Sequence, residues 1–315
     1  MVTQRFIEYY INLCLVQRIR NIILIAVVLL ISSCANSDTK APSDTLTTGI
    51  IDISADETFR PIIEEQQKVF DSSFPEAQVR VHYKPENECI RDFLNDSARL
   101  ILITRQLLPE EVKFLEQKKV VPTSLALAKD AIAIIVNKSS KDSVFSMAEI
   151  RGILTGKNEK KYTVVFDDPG SSTVRYMLDS IIPGEQLGPN VFAAKGNDSV
   201  IKYVMDNPNA IGFLGVSYVS DFSDVEGLAF IKSVRVAEVF NDKLDKGFGP
   251  YQAYIAPGWY PLTRKLYYIH RETYPGLGTG FANFLAKDRG QLIFKQARLF
   301  PMRSEIIFRE ASINP

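Results

Sequence analysis

From Gly49 onward the chain repeats one pattern: a short apolar or alternating segment, a loop, and then an amphipathic stretch. "GIIDIS" reads as a strand, "ADETF" as a loop and helix entry, and "RPIIEEQQKVFDSSF" as a helix with apolar residues at 62, 63, 69, 70 and 74. "AQVRVHY" alternates as a second strand, "ENECIRDFLND" is helical, "ARLILIT" is a strand, and "PEEVKFLEQKK" is a helix whose proline and paired acids suit a first turn. "DAIAIIVNK" is an apolar strand of the kind buried on both faces. Strands alternating with helices predict an α/β fold with a mostly parallel sheet.

A second cycle begins after Asn137. "SMAEIRGILTG" carries Ser146 and Glu149 three apart as a capping box, and "YTVVF" is a strand that runs directly into "DDPGSSTVRY". "SVIKYVMDNP" is a helix, "AIGFLGVSYV" a strand and turn, and "LAFIKSVRVAEVF" a strand. "YPLTRKLYYIH" is a further strand, followed by the helical stretch "GTGFANFLAKDRGQLIFKQA", which Gly290 is expected to divide. Two α/β lobes with a cleft between them are the economical arrangement. With 315 residues the chain has length for both.

The stretch at 167–178 poses the central question. Gly170 precedes three hydroxyl residues, Ser171, Ser172 and Thr173, and Arg175 lies one turn further on. One hydroxyl suffices to cap a helix. Three hydroxyls and a cation could instead surround an oxyanion at the positive end of the helix dipole. Both readings stand on these residues alone.

Other signals narrow the function. Lys plus Arg (37) equals Asp plus Glu (37), so no basic field exists to hold nucleic acid. "GILTGKN" lacks the spacing of a phosphate-binding loop, "GLGTG" follows a proline rather than a strand, and no G-x-S-x-G elbow occurs, which leaves enzymatic chemistry without support. With only His82, His270 and a few cysteines, no metal-ligand cluster or cofactor motif presents itself.

The N-terminus reads as an export signal. Arg18 and Arg20 precede the apolar run "NIILIAVVLLISS", shorter than a spanning helix. "ISSC" resembles a lipobox, which implies cleavage and lipidation at Cys34; an uncleaved anchor is the alternative. The polar residues after it suit a tether. Cys14 would leave with the signal, so Cys89 remains alone and is expected to be buried.

Four segments in fixed order, "DAIAIIVNKSS", "AEIRGILTGK", "NAIGFLGVSYV" and "YPLTRKLYYI" with "FANFLAKDRGQLIFK", resemble the phosphate-binding branch of the type II periplasmic solute-binding proteins that serve ABC importers. The signal and the loops look most like the branch found in Bacteroidetes. The resemblance implies a discontinuous first lobe: signal 1–33, tether 34–48, first lobe 49–133, second lobe 134–228, and a return to the first lobe over 229–315. It implies a lipid-anchored envelope protein that captures phosphate or a similar oxyanion for a permease, without enzymatic activity. A surface adhesion or sensing protein that kept the fold is the alternative.

By the same resemblance the anion contacts fall at Asp56, Glu57 and Thr58, at Thr104 and Arg105, and at Ser171, Ser172 and Thr173, with Arg175 adding charge. Two departures stand out. The family usually has an arginine where this chain has Asp167, and a carboxylate near the strand end where it has Thr104 beside Arg105. Asp167 is therefore expected to pair with Arg105 across the cleft, and Asp56 to accept a proton-bearing oxygen of phosphate and so disfavour sulfate. Surface ion pairs remain the plain alternative for Arg105 and Arg175, as helix capping does for Asp56. The aromatics of "PYQAYIAPGWYP" could pack or stack on a sugar.

Overall fold

The computed structural model describes Arg20, residues 43–220 and residues 233–303. Apart from Arg20, the expected export signal, Cys34 and most of the expected tether lie outside the described residues. The chain divides into two units, Met1–Ser43 and Asp44–Pro315; the second is described below.

The first lobe opens with β1 (Gly49–Asp56), a 3₁₀ turn (Glu57–Phe59), α1 (Arg60–Ser73), β2 (Ala77–Lys84), α2 (Glu86–Leu94), β3 (Leu100–Ile103) and α3 (Pro109–Gln117). Strand β4 (Thr123–Asn137) then leads into β5 (Val144–Phe145), α4 (Met147–Leu154), β6 (Thr163–Phe166), α5 (Ser172–Tyr176), β7 (Val191–Ala193), α6 (Asn197–Asp206), β8 (Ala210–Gly215), α7 (Ser217–Ser220), β9 (Val234–Asn241), β10 (Lys246–Phe248) and α8 (Gln252–Ile255). The last elements are β11 (Thr263–His270), α9 (Leu277–Ala286), α10 (Asp288–Gln296) and β12 (Phe300–Pro301).

The sheet runs β2-β1-β3-β11-β4-β8-β6-β7. β1 pairs in parallel with β2 and β3, and β6 with β7 and β8. The centre is antiparallel, because β11 runs against both β3 and β4, and β4 runs against β8. The sheet is therefore mixed: parallel wings joined by antiparallel strands, rather than mostly parallel throughout.

β4 is the element that spans both halves. Its first part, from Thr123, pairs with β11, and its last part pairs with β8 and β9. The strand is longer than its apolar run because "TSLALAK" continues it toward the first lobe. β9 pairs with residues 134–137 of β4 and β11 with residues 123–131; the expected boundary at residue 229 lies outside the described residues.

Helix α1 buries Ile62, Ile63 and Phe70 on one stripe against β1 and the C-terminal helices, where Phe70 meets Phe281 and Phe284 edge-on at 5.1 and 5.4 Å. The capping box at Ser146 and Glu149 forms as the spacing predicts. The C-terminal helical stretch breaks at Lys287, whose extended backbone separates α9 from α10, and Gly290 lies inside α10. The expected division is thus displaced by three residues. Gly290 is small because the end of α9 passes against it: an added Cβ would collide with the Phe284 carbonyl and the Leu285 backbone.

Of the aromatic run, Tyr260 is wholly buried and donates its hydroxyl to the Ile132 carbonyl at 2.7 Å, while Tyr254 and Trp259 stack beside Phe248. Tyr251 and Trp259 keep an exposed edge. Cys89 is buried and free. No helix among the described residues is long and apolar enough to cross a membrane.

Asp44 and Leu46, within the expected tether, meet the start of α9 and Gly280. Asp44 is buried, accepting hydrogen bonds from Arg99 at 2.7 Å, from Tyr274 at 2.6 Å and from the Leu277 N–H at the start of α9. The carboxylate thus meets both a cation and a helix N-terminus, which holds its acidity at about 2 against the cost of burial. Leu46 lies directly over Gly280, where a Cβ would overlap its carbonyl oxygen. Gly280→Ala must push this segment off α9, and we expect a loss of about 1–3 kcal/mol in a urea unfolding titration.

Candidate functional site

β1 and β3 both end where the two lobes meet, and their last residues supply the first groups of the site. Asp56 closes β1 and is fully buried; its Oδ1 accepts from the Thr58 N–H at 3.0 Å, which starts the 3₁₀ turn, while Oδ2 has no hydrogen-bond partner. Capping was the plain alternative, and Asp56 does cap; its second oxygen remains available. Burial, reinforced by the nearby Glu86 charge, pushes the Asp56 carboxyl up to about 7, with Arg264 acting in the opposite direction. A carboxyl raised in the folded state binds more protons than in the unfolded chain. The stability it contributes is thus present in acid and is lost as pH rises toward about 7.

Glu57 turns away. It pairs with Arg60 through two hydrogen bonds of 2.8 and 2.7 Å on the surface of α1, so only its carbonyl, which accepts from Tyr218, faces the second lobe. Glu57 was expected among the anion contacts; its carboxylate is instead claimed by the guanidinium one turn on. Thr58 is buried, with its hydroxyl 3.5 Å from that of Ser172 and its carbonyl accepting from Ser217.

At the end of β3, Thr104 donates both its N–H and its hydroxyl to Glu86 Oε1 at 2.7 Å. Arg105 does not enter the cleft. Its guanidinium grips Glu111 of α3 at 2.8 and 2.7 Å, and Glu111 also accepts from the Leu108 N–H, so the arginine is spent on the start of that helix. The expected pair between Arg105 and Asp167 is absent for this local reason. Asp167 is 2% exposed at the end of β6, and neither carboxyl oxygen makes a hydrogen bond. Burial raises its carboxyl, while nearby Ser171 and the Arg264 charge act to lower it.

The hydroxyl run divides its labour. Ser171 is the helix cap and accepts from the Val174 N–H at 3.3 Å. Ser172 and Thr173, both buried, instead accept from Arg264 Nη1 at 2.9 and 3.4 Å. Arg264 belongs to β11, its Nε donates to Asp130 of β4 at 2.7 Å, and its Nη2 is buried with no partner. The two residues face each other in the β11–β4 register, and the guanidinium lies over the Phe59 ring at 5.3 Å. Gly215, at the end of β8, leaves room for this approach, since a Cβ there would strike Thr58 and come within 3.6 Å of Arg264 Nη2.

Arg175 closes the mouth of the cleft. From α5 it reaches Glu86 of α2, which its Nε contacts closely, and Thr104 Oγ1 at 2.7 Å; Asp179 accepts from its other side. The Asn87 N–H donates to the Gly170 carbonyl at 3.3 Å, and an added Cβ at Gly170 would collide with the Asn87 side chain. The two lobes are thus closed upon each other.

Of the residues expected from the sequence, Asp56, Thr58, Thr104, Asp167, Ser171, Ser172, Thr173 and Arg175 come together here, while the Glu57 carboxylate and Arg105 do not. Arg264, Asp130 and Glu86 were missed. Arg264 and Asp130 leave a faint trace, each being a charge within or beside an apolar strand. Glu86 reads as an ordinary first-turn acid of α2. Chemically, the site offers an unpaired guanidinium nitrogen, two hydroxyls and carboxyl oxygens in a dry setting. That combination suits a small oxyanion carrying protons.

Residues 40–289 match the family model of the PBP superfamily domain. The phosphate-binding protein PstS of Pseudomonas aeruginosa is 24% identical over 259 residues, covering 74% of this chain and 77% of that protein. PstS of Bacillus subtilis is 23% identical over 295 residues, covering 89% and 90%. Among solved structures, a candidate phosphate ABC transporter substrate-binding protein of Clostridium perfringens with bound phosphate superposes with a TM-score of 0.68 at 21% identity, over 81% of this chain and 100% of that one. An ABC-type phosphate transport receptor of Vibrio cholerae gives a TM-score of 0.60 at 19% identity, over 80% and 100%. With parallel wings joined through β4 and β11 and a buried polar cleft between them, and with the family match spanning most of its length, the chain belongs to the PBP superfamily, as a PstS-like periplasmic binding protein of the type II fold.

Proposed function

We propose that this chain is a membrane-tethered substrate-binding protein that captures phosphate, or an oxyanion of the same shape, for an ABC importer. One observation carries the reading: Arg264 lies 3% exposed with Nη2 unpartnered, beside the hydroxyls of Ser172 and Thr173 and the free oxygen of Asp56. A buried guanidinium nitrogen without a partner is costly, and an oxyanion held between the lobes would satisfy it. The relatives named above are phosphate-binding proteins, and this chain shares their fold and most of their length. The ligand set is Asp56, Thr58, Ser172, Thr173 and Arg264. Asp167 stands beside them, and Thr104, Glu86 and Arg175 hold the lobes together around the anion.

Arg264 does the work expected of Arg105, but from the central strands rather than from the rim. Its position next to Asp130 fixes the fork in one orientation, with Nη1 on Ser172 and Thr173 and Nη2 left for the ligand. Asp56 contributes selection. An oxygen of phosphate that carries a proton donates to Asp56 Oδ2, whereas sulfate has no proton to give.

Three outcomes test this reading. In calorimetric titration of the full chain in detergent, Ser172→Ala should weaken phosphate binding about tenfold or more, because a charge-assisted hydrogen bond of roughly 1.5–3 kcal/mol is lost. A capping role alone would leave affinity intact, and absence of binding by the wild type would favour the adhesion or sensing reading. Asp56→Asn should narrow the preference for phosphate over sulfate, since an amide donates to either ion; an unchanged ratio removes Asp56 as the selector. For the tether, mass spectrometry of the mature protein should find a lipidated N-terminal Cys34, and Cys34→Ala should leave the membrane fraction.

A further inference from the structure

The charges in the cleft do not balance before any ligand arrives. Among the described residues, two cations serve the closed site, and each already has its own acid: Arg264 pairs with Asp130, and Arg175 pairs with Glu86. Glu57 is committed to Arg60, and Asp168 accepts from the Gly170 N–H at the loop edge. Asp56 and Asp167 are left over, 0% and 2% exposed, with three of their four oxygens unpartnered. Among the described residues, Cys89 on α2, which lies near Asp56, Tyr176, which lies near Arg264, and Tyr218 on α7, which lies near Glu57, are driven toward their neutral forms by burial and supply no counter-charge.

An oxyanion placed among these groups adds further negative charge to two unmatched carboxylates in a medium where water cannot screen it. Each carboxyl can face the anion only through a proton. Phosphate in its singly protonated form brings one, which suffices for Asp56. The second contact needs a proton that the ligand does not carry. We propose that Asp167 is held as a neutral carboxylic acid in the complex and donates its proton to the bound oxyanion, so that Asp167 is a hydrogen-bond donor of the site.

The inference rests on the anion-capture reading above and extends it. The deficit is geometric, since it follows from which acids are paired with which cations. The raised carboxyls of Asp56 and Asp167 agree with it. Arg105, the obvious counter-ion, is held away by Glu111, and Arg264, whose charge acts to lower the Asp167 carboxyl, is already paired with Asp130.

The test is infrared difference spectroscopy of the full chain in detergent, with and without phosphate at pH 8. The C=O stretch of a protonated carboxyl should be present in the wild-type complex and should diminish in Asp167→Asn, whose amide replaces the donor without the acid. Calorimetry in buffers of different ionisation enthalpy gives a second readout. Wherever the free site is ionised, binding of phosphate should take up about one proton and weaken about tenfold per pH unit, and Asp167→Asn should flatten that slope. A wild-type complex without the carboxyl band, or one whose band is unchanged in Asp167→Asn, overturns the inference while leaving phosphate capture intact. Failure of the wild type to bind phosphate between pH 5 and 9 overturns the capture reading and the donor role with it.

Discussion

The site depends on one buried ion pair, Arg264 with Asp130, on adjacent antiparallel strands at the centre of the sheet. Both side chains are almost completely removed from water, so the pair is expensive to assemble and its partners are not interchangeable with exposed ions. Removing one member would strand the other charge in the core, at a cost of about 3–5 kcal/mol. The pair also sets direction. With Nε taken by Asp130, the rest of the guanidinium points at Ser172 and Thr173, and the start of the second lobe's short helix is drawn against the strands that join the lobes.

Around this pair the two lobes meet through small groups and shared polar atoms. Gly215 and Gly170 permit backbone and side chain to pass where any Cβ would intrude, and the Ser217 hydroxyl and the Asn87 N–H each donate to a carbonyl of the opposite lobe. At the rim, Arg175, Glu86 and Thr104 form a second, partly exposed network. The interior cation is thus fixed on the central strands, and the rim cation joins the two lobes. Strands β4 and β11 fix the interior cation because their register sets Arg264 opposite Asp130.

Much of the fold was legible because it is written in local periods. The stripe at Ile62, Ile63 and Phe70 announces α1, the Ser146 and Glu149 spacing announces α4, and the run "DAIAIIVNK" can only be a buried strand. The hydroxyl run at 171–173 was also legible as a place where donors and acceptors accumulate. Its division into one cap and two acceptors for a distant arginine was not, because Arg264 is about ninety residues away in sequence. Arg105 illustrates the opposite error. Its type and its position at a strand end suited an anion, and the carboxylate that claims it, Glu111, stands only six residues on, in a helix start that draws acids anyway.

The sequence by itself determined the alternation of strands and helices, the second cycle after Asn137, the burial of Cys89 and the presence of a polar loop after β6, since each depends on neighbours within a turn or a strand. It also carried the block order that marks the family. Only the tertiary structure decided which charges meet. Pairing of Arg264 with Asp130 follows from strand register, and of Arg175 with Glu86 from the approach of two lobes; the isolation of Asp167 is what those pairings leave behind. Coulombic partnership in a dry interior is fixed by a few ångströms of separation, and contacts between residues far apart in the chain are set by how the whole sheet closes.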